Sequence, residues 1–158
     1  MRTLLEVQGH VTATASRSQI SYSVLVPEGL SVLYIKFRYA PKVLEDKART
    51  KALVEEAAVK YLEGERLAMY VEQWEKVFPL QNLLTLSLDD PQGYRGAAHR
   101  HTPEQEHRIR ITDASPGFWP GPIRAGMWRI TVSVHAVVTE ICTYELQVLG
   151  QSKEGFHE

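Results

Sequence analysis

The chain has 158 residues, of which 44% are hydrophobic and 23% charged, so it is long and apolar enough to fold as one globular domain with a buried core. Its 18 basic and 19 acidic side chains give a formal net charge of -1, which excludes the positive excess typical of nucleic-acid-binding proteins. No apolar run is long enough to span a membrane or to serve as a signal peptide, and a single cysteine cannot form an internal disulfide, so we expect a cytoplasmic protein.

The first forty residues predict three β-strands. Apolar and polar residues alternate in "LLEVQGHVTATA", "QISYSVLVP" and "SVLYIKFRYAP", which is the two-residue period of a strand with one buried face. In the third segment the predicted inward residues are Leu33, Ile35, Phe37 and Tyr39. The turn signal "PEG" at 27–29 separates the second strand from the third, and Pro41 ends the third.

Residues 42–78 predict a pair of helices inserted after the third strand. The segment is rich in Ala, Leu, Glu, Lys and Arg and contains no proline, and Gly64 is predicted to separate the two helices. The expected apolar stripes are Leu53, Ala57, Val59 and Leu62 in the first helix, and Leu67, Tyr70, Val71, Trp74, Val77 and Phe78 in the second. One interpretation lays this αα-hairpin across the end or open face of a sheet. The alternative leaves it exposed to bind a partner.

The strand pattern returns after residue 78. In "NLLTLSLDDPQG", Leu84, Leu86 and Leu88 alternate with polar residues. Asp89 and Asp90 precede a Pro-Gln-Gly turn, with calcium binding as the alternative to turn formation. "HRIRITDA", "MWRITVSVHAVV" and "CTYELQVLG" predict further strands, and the proline- and glycine-rich "SPGFWPGPIRAG" predicts a corner before the last two.

Seven to nine strands without a regular alternation with helices predict a mainly β fold, an antiparallel β-sandwich of the jelly-roll type. We expect a single domain over residues 1–150, which includes the helical insertion at 42–78, followed by a polar tail at 151–158. No internal repeat, low-complexity tract or linker divides the chain.

The segment "GAAHRHTPEQEH" contains three of the six histidines. If it is extended, His99 and His101 project from one face of a strand and could both bind one Zn²⁺. A third ligand could come from His107, from Glu104, or from His135 in a neighbouring predicted strand. Because the sequence has no H-E-x-x-H or C-x-x-C motif, the alternative is a hydrogen-bonded junction at the edge of the sandwich.

The sequence offers little for nucleophilic or phosphate chemistry. It has no G-x-S-x-G elbow, and Cys142 is predicted to be a buried, small apolar residue at the start of a strand. Both glycine-rich phosphate loops, G-x-G-x-x-G and G-x-x-x-x-G-K-[ST], are missing. No cofactor is therefore expected, apart from a possible divalent metal at the histidines.

Two long stretches resemble a known family. "NLLTLSLDDPQGYRGAAHRH" at 82–101 and "SPGFWPGPIRAGMWRITVSVHAVVTEICTYELQV" at 115–148, with "FRYAP" at 37–41, are similar to the N-terminal β-sandwich region of CehA/McbA-type metallohydrolases in the PHP (polymerase and histidinol phosphatase) superfamily. In that family a "LxLxDPxGxRG" stretch and a "PGPIPAGxWxV" corner precede a separate metal-dependent hydrolase domain. The resemblance extends from Ile20 to Val148, with Arg124 at the place of the last proline of the corner.

The resemblance implies an accessory sandwich rather than a catalytic domain. The hydrolase domain of the family carries its metals on motifs that begin with an Asp-x-His-x-His-type strand, whereas here Ala97 stands at the place of the aspartate. Only the last predicted strands of the sandwich follow, too few for the catalytic barrel, so we expect the accessory domain by itself. The resemblance therefore assigns none of the family's metal ligands to this sequence.

The first functional hypothesis is a non-catalytic binding or interaction module. It would assist a PHP-type hydrolase or hold a small polar or anionic ligand at one edge of the sandwich. The expected binding surface consists of cationic and imidazole side chains, namely Arg95, His99, Arg100, His101 and His135.

Two further hypotheses belong to other classes. One is a small metal-dependent hydrolase whose ligands are drawn from His99, His101, His107 and His135. Its general base would be Glu104 or Glu106, the local carboxylates. The other is a structural homo-oligomer, joined through the helical hairpin or through an edge of a sheet.

Overall fold

The computed structural model describes residues 1–153 and is dominated by antiparallel strands. The strands are β1 (Arg2–Val11), β2 (Ser18–Val26), β3 (Leu30–Ala40), β4 (Val43–Leu44), β5 (Leu80–Gln81), β6 (Leu83–Asp90), β7 (Gly93–Ala98), β8 (Glu104–Arg110), β9 (Gly126–Ala136) and β10 (Cys142–Ser152). The helices are α1 (Lys47–Tyr61) and α2 (Gly64–Glu72), and short 3₁₀ helices cover Ala13–Ala15 and Trp74–Val77.

Eight of the strands form two four-stranded sheets. Sheet A has the order β1-β10-β3-β8 and sheet B the order β2-β9-β6-β7, and all neighbours are antiparallel. Counted in chain order without β4 and β5, these strands follow the orders 1-8-3-6 and 2-7-4-5, which is the arrangement of a jelly roll. The mainly β sandwich predicted from the sequence is confirmed.

The core lies between the two sheets and follows the predicted period of two. Phe37 and Leu146 of sheet A and Leu86 and Trp128 of sheet B are among its buried side chains. Removing each such side chain from water contributes about 1.5–3 kcal/mol to stability. Cys142 is also buried in this core, as predicted, and its burial raises the pKa of the thiol.

The helical insertion begins and ends at one place, because β4 pairs with β5 and brings Leu44 opposite Leu80. Asp46 caps α1 by accepting a hydrogen bond from the backbone N–H of Arg49 at 2.9 Å. Gly64 begins α2 with a φ of 61°, a left-handed conformation that favours glycine. The two predicted helices and the break between them are confirmed.

The buried face of α1 differs from the predicted stripe. Its buried residues are Thr50, Val54 and Ala58, whereas Ala57 and Val59 are exposed, so the prediction is wrong at these two positions. α1 packs on α2 and on the 3₁₀ helix Trp74–Val77. Within the part of the chain that the structure describes, no hydrophobic side chain from 43 to 81 belongs to the sandwich core or packs against it.

The C-terminal strand is longer than predicted. β10 continues through Gln151 and Ser152, which pair with β3, so these two residues are strand rather than tail. The remainder of the predicted tail, from 154 to 158, lies outside the described residues. Among residues 1–153, no helix is both long and apolar enough to cross a membrane.

Candidate functional site

The histidines of the predicted metal site lie in separate places. β7 ends at Ala98, so His99 and His101 are exposed in the connection to β8 and do not share the face of a strand. His107 is buried in β8, and His135 is exposed on β9. Within residues 1–153, no group of three His, Cys, Asp or Glu side chains is placed to hold a metal ion. The structure therefore does not assemble the predicted ligand set.

His107 and His135 each have a local hydrogen-bond partner. His135 Nε2 lies 2.7 Å from the hydroxyl oxygen of Thr85. His107 Nε2 lies 2.8 Å from Gln105 Oε1, and its ring packs 4.8 Å from that of Phe118. Burial of His107, together with the nearby charge of Arg100, lowers the pKa of its imidazole to about 4. The His107 side chain is therefore neutral at neutral pH.

Arg95 does not belong to an exposed binding edge, contrary to the prediction. Only 5% of the residue is exposed, and its guanidinium donates to Asp90 Oδ2 at 2.9 Å. Its remaining bonds go to the carbonyl oxygens of Trp119, Gly121 and Pro122, at 3.0–3.2 Å. Because these bonds occupy all three guanidinium nitrogens, Arg95 stabilises the corner rather than binding a ligand.

Asp90 is the acidic partner of this corner. Its Oδ1 accepts hydrogen bonds from the backbone N–H groups of Gln92 and Gly93 at 2.7 and 3.0 Å, which confirms the predicted turn. Its Oδ2 also lies 3.3 Å from a guanidinium nitrogen of Arg124. Burial alone would raise the pKa of Asp90, but hydrogen bonds from Arg95 and Gln92 and the charges of both arginines outweigh it and lower that pKa.

Two glycines join the stretches that carry the family resemblance. Gly96 and Gly117 have φ values of 110° and 92°, which are strained for other residues. A Cβ at Gly96 would lie 2.3 Å from the carbonyl oxygen of Gly117, and a Cβ at Gly117 would lie 2.1 Å from that of Ala97. The "DPQGYRG" and "PGFWPGPIRAG" stretches therefore interlock as one structural corner of the sandwich.

Asn82 fixes the base of the helical insertion. Its side-chain nitrogen donates to the carbonyl oxygen of Pro41 at 2.9 Å and to the hydroxyl of Thr139 at 2.8 Å. Its side-chain oxygen accepts from the backbone N–H of Val138 at 2.7 Å, and its own carbonyl accepts from Lys42 Nζ at 2.9 Å. The residue is fully buried, so these bonds tie β5 and β6 to the loop before β10.

A shallow depression of about 560 Å³ lies on the outer face of sheet A. A second depression, of about 490 Å³, adjoins it on the side of His10 and Thr143. The residues that line both are Gln8, Arg38, Glu104 and Glu145. The two depressions therefore form one continuous concave face.

Two rows of polar side chains cross the depression. Cross-strand pairing aligns the first row as Gln8, Glu145, Arg38 and Glu104. It aligns the second row as Glu6, Gln147, Lys36 and Glu106. The rows are about 7 Å apart, because side chains on one face of a strand are two residues apart. We refer to these eight side chains as the polar ladder.

Part of the polar ladder is held in place by internal contacts. Glu145 accepts hydrogen bonds from the guanidinium of Arg38 and from Gln8 Nε2, the latter at 3.2 Å. The bond from Arg38 lowers the pKa of the Glu145 carboxyl. In the second row Lys36 Nζ lies 3.3 Å from Glu106 Oε1. With four glutamates against one lysine and one arginine, the ladder carries a formal charge of -2.

Sequence reasoning centred on the histidines missed the polar ladder, although its charged residues alternate regularly with apolar or buried ones. Lys36 and Arg38 occupy the outward positions of a strand whose inward positions are all apolar. Glu104 and Glu106 likewise alternate with buried residues in β8. Such alternation is typical of any solvated face, and only the strand order places these charges side by side.

Comparison with known proteins does not identify a function for these residues. No model of a known protein family matches the chain, and no curated protein is significantly similar to it.

Proposed function

We propose that the protein is a non-catalytic binding module whose polar ladder holds an uncharged, polyhydroxylated ligand of the saccharide class. The observation that carries this proposal is the concave outer face of sheet A, in which acceptors and donors alternate across four strands. A sugar hydroxyl both donates and accepts hydrogen bonds, so it can bridge a carboxylate and a neighbouring guanidinium or amide. The two rows would present such pairs on a grid comparable in size to a sugar ring.

The charge of the ladder supports this ligand class over an anionic one. A phosphate or carboxylate ligand would meet four glutamates, and like charges at short distance repel. Gln147 and Glu104 have no side-chain hydrogen bond within the described residues, so their polar atoms are available to a ligand. An uncharged ligand with many hydroxyl groups satisfies both donors and acceptors without this repulsion.

The test is calorimetric titration with a panel of neutral mono- and oligosaccharides. At least one should bind the wild type, and the double substitution Arg38→Gln/Glu145→Gln should weaken its binding about tenfold or more, since a hydrogen bond to a charged group is worth about 1.5–3 kcal/mol. Glu140→Gln, in an exposed loop, is the matched control and should bind like the wild type. Absence of binding throughout the panel, or equal binding by both variants, would contradict the proposal.

The family resemblance extends the proposal to a partner. We infer that the module acts in the cytoplasm as an accessory to a PHP-type metallohydrolase, and that it brings a hydroxyl-rich substrate to that enzyme. The free, buried Cys142 is compatible with a reducing compartment. Adding the purified module to a PHP-type hydrolase encoded in the same genome should raise its kcat/KM. An unchanged kcat/KM and no co-migration of the two proteins would count against the partnership.

A further inference from the structure

The four edges of the two sheets differ in how they are protected from pairing with another strand. An edge strand offers unpaired backbone N–H and C=O groups, and proteins block such edges with charges, bulges, short strands or covering loops. β8 alternates Glu104, Glu106, Arg108 and Arg110 on its outer side. β1 carries a bulge between Thr3 and Leu5 and has charged residues on both sides of it.

β7 is protected by a covering segment. It has six residues, and its register with β6 is interrupted between Ser87 and Asp89. Its free side is hydrogen-bonded to the corner: the N–H of Ala97 donates to Gly117 at 3.0 Å, and the N–H of Trp119 donates to Arg95 at 2.9 Å.

The fourth edge strand, β2, has none of these protective features. Its sequence, "SQISYSVLV", contains no charged residue and no proline in nine residues. It pairs with β9 in unbroken register from Ser18 to Val26. Within residues 1–153, no backbone hydrogen bond joins β2 to any segment other than β9, so one side of its backbone is free along the whole strand.

The core is also incompletely covered at this edge. β2 directs Ile20, Tyr22, Val24 and Val26 inward. Val24 and Val26 are buried, but Ile20 and Tyr22 are only half-buried. A strand added beside β2 would place its own apolar side chains against this pair and remove more apolar surface from water.

We propose that β2 pairs with β2 of a second copy of the chain, antiparallel and centred on Tyr22, so that two copies of sheet B form one continuous eight-stranded sheet. In this register Ile20 lies opposite the partner copy's Val24, and Ser21 opposite its Ser23. All nine residues pair, and apolar residues remain on the inner face. Such a two-fold contact is self-complementary because an uncharged strand meets its own copy without repulsion.

Charge placed on the exposed serines of β2 tests this register. Ser21→Lys/Ser23→Lys puts lysines opposite each other across the proposed contact, whereas Ser21→Lys/Ser23→Glu puts opposite charges there. Both variants lose the 3.0 Å contact between the hydroxyls of Ser21 and Thr131, so the effect of that loss on folding is shared. Position 23 pairs with Arg129 of β9, where lysine and glutamate differ in their effect, so the fold of each variant is verified separately. Thr102→Lys/Thr112→Lys, on exposed loops beside β8, controls for added charge alone.

The measurement is the mass in solution by light scattering over a range of protein concentrations, with near-ultraviolet circular dichroism to verify folding. The wild type, the control and the opposite-charge variant should have twice the chain mass of 17.9 kDa, and the like-charge variant should have 17.9 kDa. A wild-type mass of 17.9 kDa at every concentration would overturn the proposal. So would a dimer that persists in the like-charge variant, or a monomer in the opposite-charge variant.

Discussion

Arg95 and Asp90 form an ion pair that is almost completely removed from solvent, and three carbonyl oxygens complete the coordination of the guanidinium. The guanidinium also lies 5.1 Å from the centre of the Trp128 ring, over which a cation is attracted electrostatically. A buried charge that loses its partner is costly, because neither water nor another group replaces it. The arginine of the "YRG" motif therefore has a structural explanation that does not involve catalysis.

The substitution Arg95→Met should lower the free energy of unfolding by about 3–5 kcal/mol, since it leaves Asp90 with a weaker partner and three carbonyl oxygens without donors. Urea denaturation measures this change. Arg124→Met removes the other, half-exposed arginine from the same carboxylate and should cost no more than about 1 kcal/mol. Equal losses in the two variants would contradict the assigned role of Arg95.

Burial of His107 makes stability sensitive to acid. Because the pKa of its imidazole is lowered from 6.5 to about 4, the folded protein binds fewer protons than the unfolded chain between these values. The free energy of unfolding should therefore fall as the pH drops below 6.5, by about 2 kcal/mol at about pH 5. The stability that depends on a neutral His107 is fully present above pH 6.5, and it decreases as the pH falls toward the folded-state pKa of about 4.

Comparison of two histidine variants isolates this effect. Between neutral pH and about pH 5, His107→Gln should lose much less stability than the wild type does, whatever the stability of the variant at neutral pH. His10→Gln, which replaces an exposed histidine of β1, should keep the pH dependence of the wild type. Parallel pH profiles for the wild type and His107→Gln would show that the buried imidazole is not the cause.

At the scale of elements, the helical insertion is a separate unit on a jelly roll. Its ends meet at the β4–β5 pair, Asn82 fixes its base, and its residues are outside the sandwich core. The sequence predicted both helices, because their composition and Gly64 are local signals. It did not predict the buried face of α1, because Val59 is as apolar as Val54 and a stripe drawn from spacing alone cannot distinguish them.

Replacing residues 46–78 with a short glycine–serine linker should leave the sandwich folded, since Leu44 and Leu80 are already paired and no core side chain is lost. The near-ultraviolet circular dichroism of the shortened chain should retain the signal of buried Trp128, and thermal unfolding should stay cooperative. A shortened chain without cooperative unfolding would show that the insertion is part of the folding unit.

At the scale of the whole molecule, the period of two in the strands made the fold class predictable, since each inward face has to be buried. The candidate site was not predictable in the same way. Arg95 takes its three carbonyl acceptors from residues 24 to 27 positions away, and the polar ladder exists only because the jelly-roll order makes β10 and β3 central. "HRH" suggested a strand, but β7 ends at Ala98 and leaves both histidines in a loop.

The central claim is that ligands bind the polar ladder and not the histidine segment. The most direct measurement is the map of backbone amide resonances that shift when a neutral oligosaccharide from the calorimetric panel is titrated into the protein labelled with ¹⁵N. We predict that the largest shifts cluster at Lys36, Arg38, Glu104, Glu145 and Gln147, and that a His99→Ala/His101→Ala variant gives the same map. Shifts concentrated at residues 99–101 and lost in that variant would contradict the account.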